Sequence, residues 1–348
     1  MAWVKGELLT SIDAASLDPT GQLSRDAQSS LFNRIDWLRR VLRHARSSKT
    51  PLIARAASEG KLAWLFLKYG DNGEYKGLAN WYTFAYRPIF AGDPDDSRKL
   101  LMLKAITKRI RKMRNAPSRI SLSPVPRADG SSDLLARAFK RSGWIVFSNQ
   151  VSTSWTADVA GLSFDEYWAA RPGQLRNTYK RKNGKADFDV AIYNQFDEAA
   201  WEEFEAVYND SWKPEEGAPA FLRETAMFEA ASGCLRLGIC RLDGVAVAAQ
   251  YWTVESGTAY IHKLAHREST RELSPGTVLS AALFHHVIDQ DKVDIIDFGT
   301  GDEAYKADWM DESTPLDVIE AYNPASVAGL IGAAKASISA LVVRVRGR

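Results

Sequence analysis

Apolar side chains recur at helical spacing in parts of the first half of the chain and alternate in the segments between them. Residues 26–46 and 95–113 carry apolar side chains three and four positions apart, which predicts two helices. The segment 62–86 is typical of two strands joined by a turn at "GDNGEYK". The rest of this half predicts a strand, a helix and a strand, at 119–125, 132–143 and 144–155.

The second half shows the same mixture of spacings. It opens with a predicted helix over 163–185 that is interrupted near Pro172. Further helices are predicted at 197–212, 220–232 and 274–290. Strands are predicted at 187–194, 234–242, 245–254, 258–266, 293–299 and 316–322.

Both halves contain a strand pair, a helix, a strand, a helix and a strand, which indicates two related domains of mixed α/β architecture. A length of 348 residues also favours two domains. We therefore expect an N-terminal domain over 1–155, a more complete C-terminal domain over 156–325, and a final helix over 326–348.

Composition excludes several classes of protein. Lys and Arg number 45 against 43 Asp and Glu, so the net charge of +2 favours no polyanion such as DNA. The N-terminus lacks the apolar core of a signal peptide, and no apolar run spans a bilayer, which predicts a cytoplasmic protein. Cys234 and Cys240 lie too far apart along one strand to bridge, and the histidines lack metal-ligand spacing, so we expect no bound metal.

The segment 297–309, "DFGTGDEAYKADW", contains the densest cluster of glycines and charges. Its glycines formally fit a dinucleotide-binding fingerprint, but too little chain follows for the rest of that fold. A P-loop would end in GKS or GKT, and a kinase DFG would need an upstream HRD loop. The segment is better explained as a strand-to-helix turn that presents side chains at a sheet edge.

A second candidate lies upstream in "RELSPGTVL", 271–279. Ser274 can cap the following helix, and Pro275 suits its first position. The free backbone N–H groups and the dipole of such a helix end favour an anion such as pyrophosphate. A well-capped helix without a ligand is the simpler interpretation.

The order of elements in the second half resembles the GNAT acyltransferase fold. The segments "AYIHKLAH", "SPGTVL" and "IDFGTGDEAYKADWM" resemble more closely its Fem-like, CelD-type branch, in which two GNAT-like domains are joined in tandem. The resemblance is specific over 234–325, extends to the helix "FDEYWAARPGQLRNTYKRKNGK", and is an outline only in the N-terminal half.

The resemblance implies acyl-CoA as a cosubstrate and no bound cofactor. The pyrophosphate motif Q/R-x-x-G-x-G/A would begin at Arg271, with Ser274 where the first glycine is expected. The strand 258–266 would pair with the pantetheine arm, and one of its N–H groups would polarise the thioester carbonyl. The implied CoA contacts are Arg271, Ser274, Pro275, Gly276, Thr277, Val278, Lys263 and Lys306.

Acyl transfer to an amine requires a base, since a protonated amine cannot attack a thioester. His262 is the best base by its ordinary pKa, and Asp297 is the best carboxylate. Asp302 follows in the loop, and Tyr305 could protonate the leaving thiolate. Each residue also has a structural interpretation, such as an ion pair of Lys306 with Asp302 or Asp297.

Strand alternation predicts which side chains of 258–266 share a face. It places Tyr260, His262 and His266 on one face and Ile261 and Lys263 on the other.

Three features bear on the acceptor. The tail has apolar residues near helical spacing beside basic ones, which suits a helix on the cytoplasmic face of the inner membrane or one packed on its own domain. The basic runs 104–114 and 176–185 are solvated faces, membrane patches or an RNA footprint. The aromatic segment 77–90 lines a groove for an apolar chain or fills a core. The tail's apolar positions are Val327, Leu330, Ile331, Ala334, Ile338, Leu341 and Val345, with Lys335, Arg344, Arg346 and Arg348 beside them.

These features favour a lipid amine as acceptor, and within the resembled branch they fit the bacterial ceramide synthases, which N-acylate a sphingoid base. Acetylation of a polysaccharide or another amine is the alternative within the same chemistry. A Fem-like transferase would use aminoacyl-tRNA as donor, but no heptad run predicts the usual coiled-coil insertion. A non-catalytic protein that no longer binds CoA is a further alternative, and its only support is Ser274 in place of the expected glycine.

Overall fold

The structure is a computed structural model that describes residues 4–14, 16–45, 50–70 and 73–346, with side chains up to Ile338. The described residues first form β1 (Lys5–Leu9), α1 (Ile35–Arg43), β2 (Leu52–Ser58), β3 (Lys61–Tyr69), β4 (Tyr75–Gly77), β5 (Ile89–Ala91), α2 (Asp96–Arg111), β6 (Arg119–Pro126), α3 (Ser131–Arg141) and β7 (Ile145–Asp158). They continue with α4 (Phe164–Ala169), α5 (Gly173–Asn183), β8 (Phe188–Tyr193), α6 (Glu198–Asn209), α7 (Pro219–Ala231), β9 (Leu235–Leu242), β10 (Val245–Glu255), β11 (Thr258–His266), α8 (Pro275–His285), β12 (Ile295–Thr300), β13 (Glu312–Tyr322) and α9 (Val327–Arg346).

The fold divides into two compact units. Unit 1 comprises 1–153 and 314–348, and unit 2 comprises 154–313. This division differs from a C-terminal domain over 156–325, because β13 pairs antiparallel with β6 and places Ile319 in the core of unit 1. The sequence shows that β13 is a strand, but it carries no signal for which strand is its partner.

Unit 1 contains a mixed sheet in the order β1-β2-β3-β4-β6-β13, with β5 paired to β3. Strands β2, β3 and β4 are antiparallel, and β4 runs parallel to β6. Helices α2 and α3 cover one face, where Leu103, Ile106 and Phe139 are fully buried. Their apolar residues recur three and four positions apart, so each helix presents one continuous stripe to the sheet.

Unit 2 contains a mixed sheet in which residues 154–158 of β7 are followed by β12, β11, β10, β9 and β8. Adjacent residues of β10 point to opposite faces of the sheet, and their contacts show which helix covers each face. Trp252 packs against Phe284 of α8 with 5.2 Å between ring centroids. Tyr251 packs against Trp201 of α6 at 5.8 Å. The sheet therefore separates α8 from α6.

The two units share one pattern, which confirms the predicted tandem mixed α/β fold. In unit 1, three antiparallel strands lead through α2 to β6, which lies parallel to the third strand. In unit 2, β9, β10 and β11 lead through α8 to β12 in the same way. Unit 2 adds α6 and α7 before its antiparallel strands, so it is the more complete copy.

Two predicted elements of the first half are wrong in extent. The second strand predicted within 62–86 ends at Gly77, and a loop follows in which the Asn80 side chain accepts from Tyr82 N–H at 3.0 Å and holds a turn. Of the helix predicted over 26–46, whose last residue lies outside the described part of the chain, only α1 is α helical. The interruption near Pro172 is confirmed, since α4 ends before this residue and α5 begins after it.

Candidate active site

The sheet of unit 2 opens between β11 and β12. These parallel strands pair only from Thr258 with Ile295 to Tyr260 with Asp297. Beyond that point β11 continues to His266, and no other described strand pairs with its open edge. Backbone N–H and C=O groups along this edge are therefore available to an extended ligand chain.

The N-terminus of α8 follows β11 after a short 3₁₀ helix, Glu268–Leu273. Pro275 is its first residue, as predicted, but the Ser274 side chain forms no capping hydrogen bond. Instead Ser274 has φ 54° and ψ 47°, a left-handed conformation that glycine adopts more readily. This geometry explains why glycine is expected there in the resembled motif. Gln250 Nε2 donates to Ser280 Oγ at 2.7 Å and to the Gly276 carbonyl at 3.3 Å, which fixes the first turn.

Basic side chains lie beside the N-terminus of α8. Helix α5 packs against α8, and Lys182 Nζ donates to the carbonyl of Glu272. The Arg271 side chain is 75 % exposed. Further exposed cations of the α5 segment are Arg176, Lys180, Arg181 and Lys185. Together with the helix dipole, these charges favour a polyanion beside residues 275–278.

A β-bulge breaks the predicted alternation along β11. The register with β10 shifts so that Ile261 pairs with Trp252 and Lys263 pairs with Tyr251, which leaves His262 extra. Lys263 therefore shares the α6 side with Tyr260, whereas alternation predicted opposite faces. His266 lies on the α8 side, where a Cβ added to Gly276 would lie 3.3 Å from its Nδ1.

His262 lies within an aromatic environment. Its Nε2 is 3.0 Å from Thr253 Oγ1, and its ring stacks on Tyr251 with 4.9 Å between centroids. Burial, together with the charge of Lys263, lowers the pKa of His262 to about 3. Burial disfavours the charged ring that a base would become, so these surroundings do not favour its predicted role.

Lys263 is held by the protein itself. Its Nζ lies 2.5 Å from Glu216 Oε2 and 3.2 Å from the Tyr208 hydroxyl, and the side chains of Lys263 and Glu216 are only 11 % and 12 % exposed. The ammonium also lies 4.8 Å from the centroid of the Tyr208 ring. This arrangement differs from the contact with CoA predicted for Lys263.

Asp297 lies where the strands separate. It is the last β12 residue paired with β11, and its Oδ1 accepts from the Gly299 N–H at 2.8 Å. The neighbouring Ile296 and Phe298 belong to the core beneath α8, so Asp297 faces the α6 side together with Tyr260. Asp297 therefore faces the α6 side at the point of separation, although β12 itself continues to Thr300.

The loop after β12 is fastened by Lys306. This buried side chain donates to the Thr300 carbonyl at 2.6 Å and lies 3.1 Å from Glu303 Oε2. The predicted ion pair with Asp302 or Asp297 is replaced by the pair with Glu303. Gly301 has φ 133°, a backbone conformation that glycine adopts more readily than other residues.

The other predicted residues of this loop differ in exposure. Asp302 is exposed. Tyr305 packs edge-on against Phe298, with 5.8 Å between ring centroids, and burial together with the charge of Glu303 raises the pKa of its phenol. Tyr305 therefore stays protonated at neutral pH, but the raised pKa makes its phenol a weaker acid toward a thiolate. Trp309 lies in the core.

The loop between α6 and α7, "SWKPEEG", was not identified from the sequence. The Trp212 ring packs against His266 at an angle of 43°, with 4.4 Å between centroids, next to the start of α8. Burial lowers the pKa of Lys213, and the charges of Lys263 and Lys306 act in the same direction against that of Glu303. The aromatic and charged residues of this segment were the sequence signal that could have identified it as part of the site.

Within the described residues, a group with metal-ligand atoms occurs away from the opening. Donor atoms of Glu229, Cys234 and Glu255 lie within 4.8 Å of one another. The Cys234 thiol donates to Glu255 at 3.1 Å, so a protonated thiol satisfies this contact without a metal.

Comparisons with known proteins agree with this geometry. Residues 173–307 match the family described as "Acetyltransferase (GNAT) domain". No curated protein sequence matches the chain.

Solved structures share the fold at low sequence identity. FemX is 10 % identical with a TM-score of 0.61, over 91 % of this chain and 98 % of that one. A tandem GNAT protein from the clavulanic acid biosynthesis pathway is 10 % identical with a TM-score of 0.54, over 92 % and 98 %. L-PGS from Bacillus licheniformis is 11 % identical with a TM-score of 0.50, over 78 % and 85 %. Residues 173–307 therefore form a GNAT-type acetyltransferase domain, which indicates a transferase, within a chain of tandem-GNAT fold.

Proposed function

We propose that this protein is an acyl-CoA-dependent N-acyltransferase in which an acceptor amine attacks the thioester directly. The observation that carries the proposal is the separation of β11 from β12 next to the α8 N-terminus. The pantetheine arm would lie along the open edge of β11, and its pyrophosphate would accept from the amides of 275–278. The cations of α5 supply the matching positive charge.

Asp297 is the base in this proposal, because it faces the α6 side at the point of separation. It takes a proton from the ammonium, the amine nitrogen attacks the thioester carbon, and a β11 N–H stabilises the oxyanion. The C–S bond then breaks as the thiolate takes the proton of Tyr305, and the second proton that the nitrogen loses returns Tyr305 to its protonated form. Asp302 lies at the rim of this site.

A lipid amine, specifically a sphingoid base, is the proposed acceptor. Helix α9 supports it, because α9 packs through small residues and exposes large ones. A Cβ at Gly329 would lie 2.2 Å from the Asn323 carbonyl oxygen, whereas Val327, Leu330 and Ile331 are 76 %, 49 % and 52 % exposed. No acidic residue follows Glu320 in the sequence.

This composition suits contact with an anionic membrane surface. None of the described helices is both long and apolar enough to cross a bilayer. The side chains of Leu341, Arg344, Val345 and Arg346, and residue Arg348, lie outside the described part of the chain.

A thiol-release assay tests the proposal. Purified protein is given acetyl-CoA or palmitoyl-CoA, with sphinganine or 3-ketosphinganine as acceptor. Release that requires both palmitoyl-CoA and the sphingoid base supports lipid N-acylation. Release with acetyl-CoA and a sugar amine would move the assignment to polysaccharide acetylation, and absence of CoA binding by calorimetry would overturn it.

A Fem-like, aminoacyl-tRNA-dependent transferase is the second candidate. Its support is the charge of unit 1, which contains 30 Lys and Arg against 15 Asp and Glu, together with the FemX-like fold. Binding of tRNA that weakens steeply with salt, combined with no thiol release from any CoA, would favour this candidate.

A further inference from the structure

A groove of about 380 Å³ lies within unit 1, where the start of β1 meets α2. Its apolar part is formed by Val4, Ala105 and Leu101, and Leu101 is 43 % exposed. A Cβ added at Gly6 would lie 2.9 Å from the Ala105 carbonyl oxygen, so the backbones of β1 and α2 meet directly at the groove. Strand β1 ends the strand order of the sheet, so no further described strand covers this side.

The charged residues of this groove are all cations. Within the described part of the chain, none of their side chains forms an ion pair or a hydrogen bond with the protein; they are Lys5, Lys104, Lys108, Arg109 and Lys112. Residues 98–114 contain eight Lys and Arg and no Asp or Glu. Lys104, Lys108 and Lys112 follow one another at four-residue spacing, so they lie along one side of α2 over about 12 Å and repel one another. A bound anion would relieve this repulsion.

The opposite side of α2 shows what a balanced surface looks like in the same unit. A depression of about 640 Å³ between α2 and α3 also contains basic side chains. Three ion pairs match most of its charge: Arg87 with Asp129, Lys99 with Asp96, and Arg137 with Asp133. The groove beside β1 contains no described carboxylate, so its countercharge must come from a ligand or from solvent ions.

The arrangement of charge and apolar surface indicates the chemistry of the ligand. A phosphate group accepts hydrogen bonds from several cations at once. Leu101 and Ala105, four positions apart, form an apolar line beside the line of lysines, so a ligand in the groove meets both kinds of surface. Anionic glycerophospholipids combine a phosphate with an apolar chain, and clusters of roughly four to eight Lys and Arg on one helix are typical of proteins that bind them.

RNA matches the groove less well than a lipid does. Single-stranded RNA is held largely by aromatic side chains that stack on its bases, and the described lining of this groove contains no aromatic residue. The apolar line of Leu101 and Ala105 would have no counterpart on a sugar-phosphate backbone. The observations therefore favour the lipid.

We propose that the groove between β1 and α2 binds the headgroup of an anionic glycerophospholipid. The lysines of α2 hold the phosphate, while Val4, Leu101 and Ala105 contact the first carbons of the acyl chains. At the ~30 Å³ that a water molecule occupies in the liquid, the groove has room for roughly a dozen non-hydrogen atoms, which suits a glycerol phosphate and these first carbons. The site belongs to unit 1 and does not depend on the acyl transfer proposed for unit 2.

Calorimetric titration of the full chain with three soluble probes tests this inference. The probes are dihexanoyl phosphatidic acid, glycerol phosphate, which lacks the chains, and dihexanoyl phosphatidylcholine, whose phosphate is neutralised by its own cation. At pH 7.5 the phosphate of phosphatidic acid carries nearly two charges, because its second pKa is about 6. We expect dihexanoyl phosphatidic acid to bind at least tenfold more tightly than either of the other probes.

Two double variants locate the binding. Lys108→Gln/Lys112→Gln removes two exposed cations of the groove and should weaken the binding of dihexanoyl phosphatidic acid at least tenfold. Lys140→Gln/Arg141→Gln removes the same charge from two exposed residues at the end of α3, outside the groove. It should leave this affinity within about twofold of that of the unchanged protein.

Each other result overturns the inference. Equal binding of glycerol phosphate would assign the groove to a free phosphate, and equal binding of phosphatidylcholine would show that the charge is not recognised. Absence of binding, or the same loss in both double variants, would refute a site in the groove. A tRNA that loses affinity in Lys108→Gln/Lys112→Gln, and that dihexanoyl phosphatidic acid does not displace, would identify an RNA footprint instead.

Titration with CoA separates this inference from the proposed function. A protein that binds dihexanoyl phosphatidic acid as expected but binds no CoA would refute the acyltransferase and leave the lipid site standing. A protein that releases CoA in the thiol assay but does not distinguish the three probes would refute the lipid site alone.

Discussion

Lys263 and Glu216 form an almost fully buried ion pair, with 2.5 Å between Nζ and Oε2. The pair joins the bulged part of β11 to the loop between α6 and α7. It fixes this loop against the sheet on the side where the acceptor would enter. A buried pair of this kind is costly to break at one end, because the remaining charge is left desolvated.

The first prediction follows from this pair. Lys263→Met leaves Glu216 without its cation and should lower the free energy of unfolding by about 3 kcal/mol. Lys263→Met/Glu216→Gln removes both charges and should recover most of that loss. Urea denaturation of the two single variants and the double variant measures the coupling, and additive losses would show that the residues do not interact.

The second prediction concerns the left-handed backbone at Ser274. Ser274→Gly relieves the strained φ but adds freedom to the unfolded chain, so the free energy of unfolding should change by no more than about 1 kcal/mol. Ser274→Val cannot adopt this conformation comfortably and should lose about 1–3 kcal/mol. CoA affinity, measured by calorimetry, should be retained in Ser274→Gly and weakened in Ser274→Val. Equal affinities in the two variants would contradict a role for this turn.

The third prediction tests where the CoA pyrophosphate lies. Gly276 occupies the second position of α8, and Gly276→Asp places a carboxylate among the amides that would bind the anion. We expect CoA affinity to fall at least 100-fold while the fold persists, because acidic residues are favourable in a first helical turn. Unchanged CoA binding or acyl transfer in this variant would move the CoA site away from α8.

The matched control for Gly276→Asp is Ala199→Asp. Ala199 is exposed at the second position of α6, so the change adds the same charge at the corresponding place in another helix. It should leave CoA affinity within about twofold of the unchanged protein.

Local patterns in the sequence were sufficient for most elements of the fold. The periodicity of α2, α8 and β11 depends on residues close in the chain, and these elements appear where they were predicted. The partner of β13 depends on pairing with a strand about 190 residues away, since Leu316 meets Pro126. No local pattern encodes such a choice, which explains why the domain boundary differed.

The sequence suggested which residue types would form the candidate site, but it did not predict which of their side chains would contact one another. One extra residue at His262 moved Lys263 to the α6 side, because a bulge reverses the faces that follow it. Lys306 was expected to pair with Asp302 or Asp297, but Glu303, three positions before it, lies on the same side of the short helical turn. These outcomes depend on a bulge and a turn, which alternation alone cannot predict.

The fourth prediction concerns the loop fastened by Lys306. Lys306→Met keeps the aliphatic chain but removes the bonds to Thr300 and Glu303, so it should lower the free energy of unfolding by about 2 kcal/mol. Hydrogen exchange at 301–306 should become faster than in the unchanged protein. Lys292→Met, which changes the same residue type on the turn before β12, should leave exchange at 301–306 unaltered.

The fifth prediction is a pH dependence of stability caused by His262. Its pKa is about 3 in the folded protein and near 6.5 in an unfolded chain, so between these values the unfolded state binds the additional proton. The contribution of the neutral, buried ring is complete above pH 6.5 and is lost as the pH falls toward 3. Between pH 6.5 and 5 this loss amounts to about 2 kcal/mol.

His262→Gln removes this titration while retaining a group that can hydrogen-bond Thr253, so its free energy of unfolding should fall less steeply over the same interval. Urea denaturation at pH 6.5, 5.75 and 5 gives the slope for each protein. His285→Gln, at a histidine on α8 whose side chain is 56 % exposed, should reproduce the slope of the unchanged protein. If His262→Gln also reproduced that slope, the low pKa of His262 would be refuted, and its role as the base would regain support because a ring with an ordinary pKa titrates near neutral pH.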